Sequence, residues 1–113
     1  MSISNIWVFA QITDGAASSA TLELLTKANS LGGTVTAFVA GSAGDGAAAF
    51  ADHGAAKIYE TGDLAGALPG AAVSAAMKSV IDGGDSPDLV MFPQNYEGRD
   101  VMSRLSVKLD RTV

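Results

Sequence analysis

The segment from Asp88 to Asp110, DLVMFPQNYEGRDVMSRLSVKLD, decides the fold. Its apolar run, Leu89-Val90-Met91-Phe92, lies between Pro87 and Pro93. A run this short suits a strand buried on both faces, because a buried helix needs about ten residues or more. The spacing therefore predicts a strand from Asp88 to Phe92, a loop from Pro93 to Glu97 and a helix starting near Gly98. Beyond that point the period changes. Val101, Leu105 and Leu109 recur at i, i+4 and i+8, joined by Met102, while Arg104, Lys108 and Asp110 fall off the stripe. This is the strand-to-helix junction of a parallel sheet. In open sheets of this class ligands gather where strand C-terminal ends meet helix N-termini, so Tyr96 to Asp100 is the first place to seek function. Gly98, Arg99 and Asp100 are the candidate cofactor-binding residues there.

The same grammar repeats upstream. Asn5 to Gln11, NIWVFAQ, is a first strand ended by the turn residues Thr13-Asp14-Gly15. Ser18 or Ser19 can cap a helix running to Leu31, with Leu22, Leu25, Ala28 and Leu31 as its buried stripe and Gly32-Gly33 as its stop. Thr34 to Ala40 is the second strand, Ala47 to His53 a short helix closed by Gly54, and Lys57 to Glu60 the third strand. After a loop from Thr61 to Leu68, Pro69 opens a helix whose buried face carries Val73, Met77, Val80 and Ile81, up to Gly83-Gly84. Arg111-Thr112-Val113 reads as the beginning of a fifth strand.

Strands alternating with helices at this spacing imply an α/β domain with an open parallel sheet and helices on both faces. The expected strand order is 3-2-1-4, with a fifth place beside strand 4. Strands 1 and 4 then meet at the switch point, and their loops, Gln11 to Ala17 and Pro93 to Gly98, form one crevice. Strand 4 is apolar on both faces, so its outer edge is expected either to associate with another chain or to be covered by an ordered C-terminal tail.

The 113 residues suffice for one domain and one core. Seven basic against twelve acidic residues, a net charge of -5 without a basic stripe, argue against nucleic acid. There is no cysteine and one histidine, which excludes disulfides, thiolate chemistry and multi-histidine metal sites. His53 precedes a closing glycine, where the helix dipole favours a chargeable ring. The loop Gly41-Ser42-Ala43-Gly44-Asp45-Gly46 lacks both the G-x-G-x-x-G spacing and a following G-K-[ST]. No G-x-S-x-G supports a hydrolase. The N-terminus lacks a basic start and a long apolar segment, and no run approaches the roughly 20 residues of a membrane span. These absences lead to the expectation of a cytoplasmic, bacterial protein without membrane insertion.

Three segments carry a family resemblance: the opening strand ending at Asp14-Gly15, the stretch LGGTVTAFVAG from Leu31 to Gly41, and Gly98-Arg99-Asp100 followed by RLSVKLD from Arg104 to Asp110. Together they resemble the N-terminal domain of the electron transfer flavoprotein alpha subunit, in order along the whole chain but only over the opening third of such a subunit. The resemblance implies an adenine nucleotide alpha hydrolase-like, Rossmann-like fold. It also implies a scaffold and docking domain, not an enzyme, whose partner is the electron transfer flavoprotein beta subunit. The full heterodimer of such proteins carries FAD and shuttles electrons from flavoprotein dehydrogenases to the respiratory chain. In the family FAD is held mainly by the C-terminal domain of the alpha subunit, so no cofactor is expected in this fragment. The alternative is a stand-alone universal-stress-type nucleotide-binding module. Such a module needs a glycine cluster after the fourth strand, and here Gly98 is the last glycine.

Overall fold

The computed structural model describes residues 4–13, 16–41, 44, 46–62 and 69–109. The elements run β1 (Asn5–Ala10), β2 (Ile12–Thr13), β3 (Ala16–Ala17), α1 (Ser19–Ser30), β4 (Thr34–Val39), α2 (Gly46–Asp52), β5 (Ala55–Glu60), α3 (Pro69–Asp82), β6 (Leu89–Met91) and α4 (Tyr96–Leu109). Four strands form a parallel sheet in the order β5-β4-β1-β6. Counting those four strands along the chain, the order is 3-2-1-4, as the spacing predicts. In detail the structure adds a separate two-stranded antiparallel pair, β2 with β3, which the sequence reading did not contain. The expected fifth strand at Arg111-Thr112-Val113 lies outside the described residues, as do Asp14-Gly15, Ser42, Ala43, Asp45 and most of the Thr61 to Leu68 loop.

Strand alternation divides the core in two. Ile6, Val8 and Ala10 of β1 and Val35, Ala37 and Val39 of β4 face α1 and α2, where Leu25, Ala28 and Phe50 close the layer. Trp7, Phe9 and Phe38 face the other way, onto Val73 and Met77 of α3 and Val101 and Leu105 of α4. A side chain of this size stabilises the fold by about 1.5–3 kcal/mol when fully buried. Trp7 is wholly buried, packed against Phe38 and Tyr59 at ring-centroid distances of 5.3 and 6.0 Å. Its indole N–H meets no acceptor among the described residues.

Several expected boundaries move. The last helix starts at Tyr96, two residues before Gly98, because Asn95 rather than a later residue takes the cap. Tyr96 and Glu97 are therefore helical and not loop. The third strand begins at Ala55, since Ala55 already pairs with Val35 before a bulge that brings Lys57 opposite Thr36. The stripe of α1 also changes at both ends. Leu31 is 42% exposed, being the C-cap from which the chain turns through Gly32, at φ +89°, toward β4. Thr21 is buried in its place, its hydroxyl accepting from the Gln11 N–H at 2.8 Å and from the Ser18 hydroxyl at 2.8 Å.

Candidate functional site

The switch point lies where β1 and β6, neighbours in the sheet, deliver the chain to the helix-leading loops. Gln11, just past β1, is fixed through its backbone. Its N–H donates to Thr21 Oγ1, and its carbonyl accepts from the Ser18 N–H at 3.0 Å. Ser18 in turn caps α1 by accepting from the Thr21 N–H. The side chain of Gln11 is thereby aimed across the crevice, and Asn95 Nδ2 donates to its Oε1 at 2.7 Å. The two loops expected to share a crevice are joined by this contact.

Asn95 serves both sides. Its Oδ1 accepts from the Gly98 N–H at 2.8 Å, which is the geometry of an N-cap three residues before the donor. Gly98 is buried, and a Cβ there would collide with the carbonyl oxygen of Pro93, so the helix start lies directly on the loop backbone. Asp100 pairs with Arg104 at 2.9 Å on the same helix, and its carboxylate also lies against Gly70 in the first turn of α3. There a negative charge complements the helix dipole. Of the three candidate residues, Gly98 and Asp100 thus contact neighbouring chain, whereas Arg99 is exposed, with Nε 3.4 Å from the Asn95 carbonyl oxygen. Tyr96, beside them, is 66% exposed.

His53 lies far from this crevice, at the end of α2. Its Nδ1 is 2.9 Å from the Ala49 carbonyl oxygen, a contact that requires the proton on Nδ1 and satisfies a last-turn carbonyl. Among the described residues no three His, Cys, Asp or Glu side chains are grouped to hold a metal ion. No helix among them is long and apolar enough to cross a membrane.

The perturbed ionisable groups sit at the opposite, N-terminal edge of the sheet, and the sequence reading singled out none of them. Asp85 accepts from the Tyr59 hydroxyl at 2.5 Å, from Lys57 Nζ at 3.3 Å and from Asn5 Nδ2 at 3.1 Å. The Tyr59 hydrogen bond, followed by those from Lys57 and Asn5, holds its carboxyl below the usual range. Asp88 is lowered by the backbone N–H groups of Ser4 and Asn5, both 2.9 Å away, and by the Ser4 hydroxyl. These contacts tie the edge strand β5 and the start of β1 to the turn before β6. Their local signal was the Lys57/Tyr59 alternation on one face of a strand and two aspartates flanking Ser86-Pro87.

Comparison with known proteins follows the same line. Residues 6–113 match the family described as Electron transfer flavoprotein domain. The chain is also similar to the electron transfer flavoprotein subunit alpha of Syntrophomonas wolfei, with 33% identity over 110 residues. That alignment covers 95% of this chain and 34% of the relative, so the chain spans about a third of the length of the curated relative it matches.

Proposed function

The chain belongs to the electron transfer flavoprotein domain family, and on that premise we infer that it acts as the N-terminal scaffold and docking domain of an alpha subunit. The observation that carries this reading is the alignment to an alpha subunit over almost the whole chain. In this reading residues 1–113 are one domain of a longer polypeptide. It pairs with an electron transfer flavoprotein beta subunit and has no catalytic site of its own. FAD belongs to the complete heterodimer, which accepts electrons from flavoprotein dehydrogenases.

The switch point supports a structural task for most of its residues. Phosphate binding at a helix N-terminus uses free backbone N–H groups. At α4 the Gly98 N–H is taken by Asn95, whose side-chain amide is in turn engaged by Gln11. Gly98 and Asp100 set the packing of α4 on the Pro93 loop and on α3, and Arg99 is left to meet an anion or a carboxylate of the partner subunit.

Docking is tested by mixing the purified chain with the beta subunit of the same genome and following the pair by size-exclusion chromatography and calorimetry. A one-to-one complex, weakened by Arg99→Glu, is the expected result. No association at micromolar concentrations, together with saturable binding of ATP by the chain alone, would favour an independent nucleotide-binding module instead.

A further inference from the structure

Trp7 is the single tryptophan of the chain, and it lies wholly buried in β1, an interior strand of the sheet. A row of aromatic rings leads from it to the edge strand. Phe38 of β4 stands 5.3 Å from the indole and Tyr59 of β5 6.0 Å, centroid to centroid, with 5.4 Å between Phe38 and Tyr59. The row ends where the Tyr59 hydroxyl donates to Asp85 Oδ2 at 2.5 Å. The Asp85 side chain is 30% exposed, so the row runs from the core to solvent. Its two ends differ in a way that packing does not require. The indole N–H meets no acceptor among the described residues, whereas the phenolic hydroxyl has a charged one.

We propose that Trp7, Tyr59 and Asp85 form a relay that draws an oxidising equivalent out of the core. When a one-electron oxidant removes an electron from Trp7, the indole radical cation has no acceptor for its N–H proton and stays an oxidant. Its charge is costly among the apolar side chains of α3 and α4. Tyr59 then gives one electron to the indole, its O–H bond breaks, and the proton passes to Asp85. The products are a neutral indole, a neutral tyrosyl radical and a carboxylic acid, so no buried charge remains. Lys57 enforces the coupling. Its ammonium lies 5.2 Å from the centre of the Tyr59 ring and 3.3 Å from the hydroxyl, which opposes a tyrosyl cation and requires the proton to leave with the electron. The hydrogen bonds from Tyr59 and Lys57 lower the basicity of Asp85, but an oxidised phenol is a far stronger acid than any carboxylic acid. The relay uses residues of this chain alone and does not depend on the docking role.

Laser photoionisation of the purified chain tests the relay, since one tryptophan can be ionised and two tyrosines, Tyr59 and Tyr96, can receive the oxidising equivalent. The ejected electron is scavenged, and the indole and tyrosyl radicals are followed by their separate absorptions. Decay of the indole radical cation in step with growth of a tyrosyl radical, at a rate independent of protein concentration, is expected. Tyr59→Phe should abolish the tyrosyl signal and prolong the indole radical, while Tyr96→Phe, at the exposed start of α4, should leave both unchanged. Asp85→Asn removes the proton acceptor and should slow the transfer by about tenfold or more, the change that about 1.4 kcal/mol of added barrier produces. The parent chain in heavy water gives a second readout that needs no variant to fold: a proton that moves with the electron slows the transfer there. A tyrosyl signal that survives Tyr59→Phe, an indole radical that decays without one, or a rate indifferent to both Asp85→Asn and heavy water would overturn the proposal.

Discussion

Asn95 and Gly98 show how few atoms hold the switch point together. Asn95 caps α4 through Oδ1 and bridges to Gln11 through Nδ2, so Asn95→Ala removes a cap and a loop-to-loop hydrogen bond together. The expected loss is about 1–2 kcal/mol for the cap and about 1 kcal/mol for the bridge, read as a lower urea midpoint. In a double-mutant cycle, Gln11→Ala should account for the bridge alone. At Gly98 two effects oppose each other. Replacing a helical glycine by alanine gains up to about 1 kcal/mol of propensity, but here the new Cβ meets a backbone carbonyl, and overpacking of that kind costs roughly 1–3 kcal/mol. The neighbour cannot rotate away as a side chain would. Gly98→Ala should therefore destabilise the chain, and a raised urea midpoint would show that the loop yields. Gly98 was legible in the sequence as a switch-point residue. Asn95 was not, because the expected loop ran on through Glu97 and the apolar stripe becomes visible only at Val101, six residues beyond the Asn that caps the helix.

At the scale of elements, the edge strand β5 is held by chemistry rather than by burial. Tyr59 and Lys57 reach Asp85, which leads toward β6, and Asn5 adds a third donor from β1. The carboxyl of Asp85 is held below its ordinary 3.8, chiefly by Tyr59. A depressed carboxyl stabilises the folded state fully above its unfolded value, and that contribution disappears as the pH falls through the folded value. The cluster should accordingly support the fold at neutral pH and fade below about pH 4. Tyr59→Phe is expected to lower the urea midpoint at pH 7 and to converge with the parent protein at strongly acid pH. A deficit that stays constant with pH would show that the lost hydroxyl does not act through the charge of Asp85. Lys57 has the opposite sign: its raised value confers stability present below 10.5 and lost as the pH climbs through the folded value. Local pattern put Lys57 and Tyr59 on one face of a strand but could not pair them with Asp85, since Tyr59 and Asp85 are 26 residues apart and meet only when the sheet has formed. Thr21 escaped for a related reason: a stripe drawn from apolar residues passes over a threonine buried by its hydroxyl's partners.

For the whole molecule, the order of the four parallel strands followed from the alternation of apolar runs and amphipathic segments, because short crossovers of one hand leave few arrangements. The β2/β3 pair did not follow from it, since two residues a side carry no periodic signal. The switch-point crevice was legible too, as Gln11 and Asn95 meet within it, but what it contacts in a complete flavoprotein depends on partner surfaces. The account's central claim is that this domain is scaffold, with the flavin held elsewhere in the heterodimer. A dinucleotide must repay an association cost of at least about 4 kcal/mol, and the α4 start offers chiefly Arg99, its Gly98 N–H already taken by Asn95. Titration of the purified chain with FAD, followed by flavin fluorescence beside the full-length alpha and beta subunits, tests this most directly. The account predicts no saturable binding by the chain through the micromolar range and a flavin-loaded complex only with the complete subunits, whereas stoichiometric micromolar binding by the chain alone would contradict it.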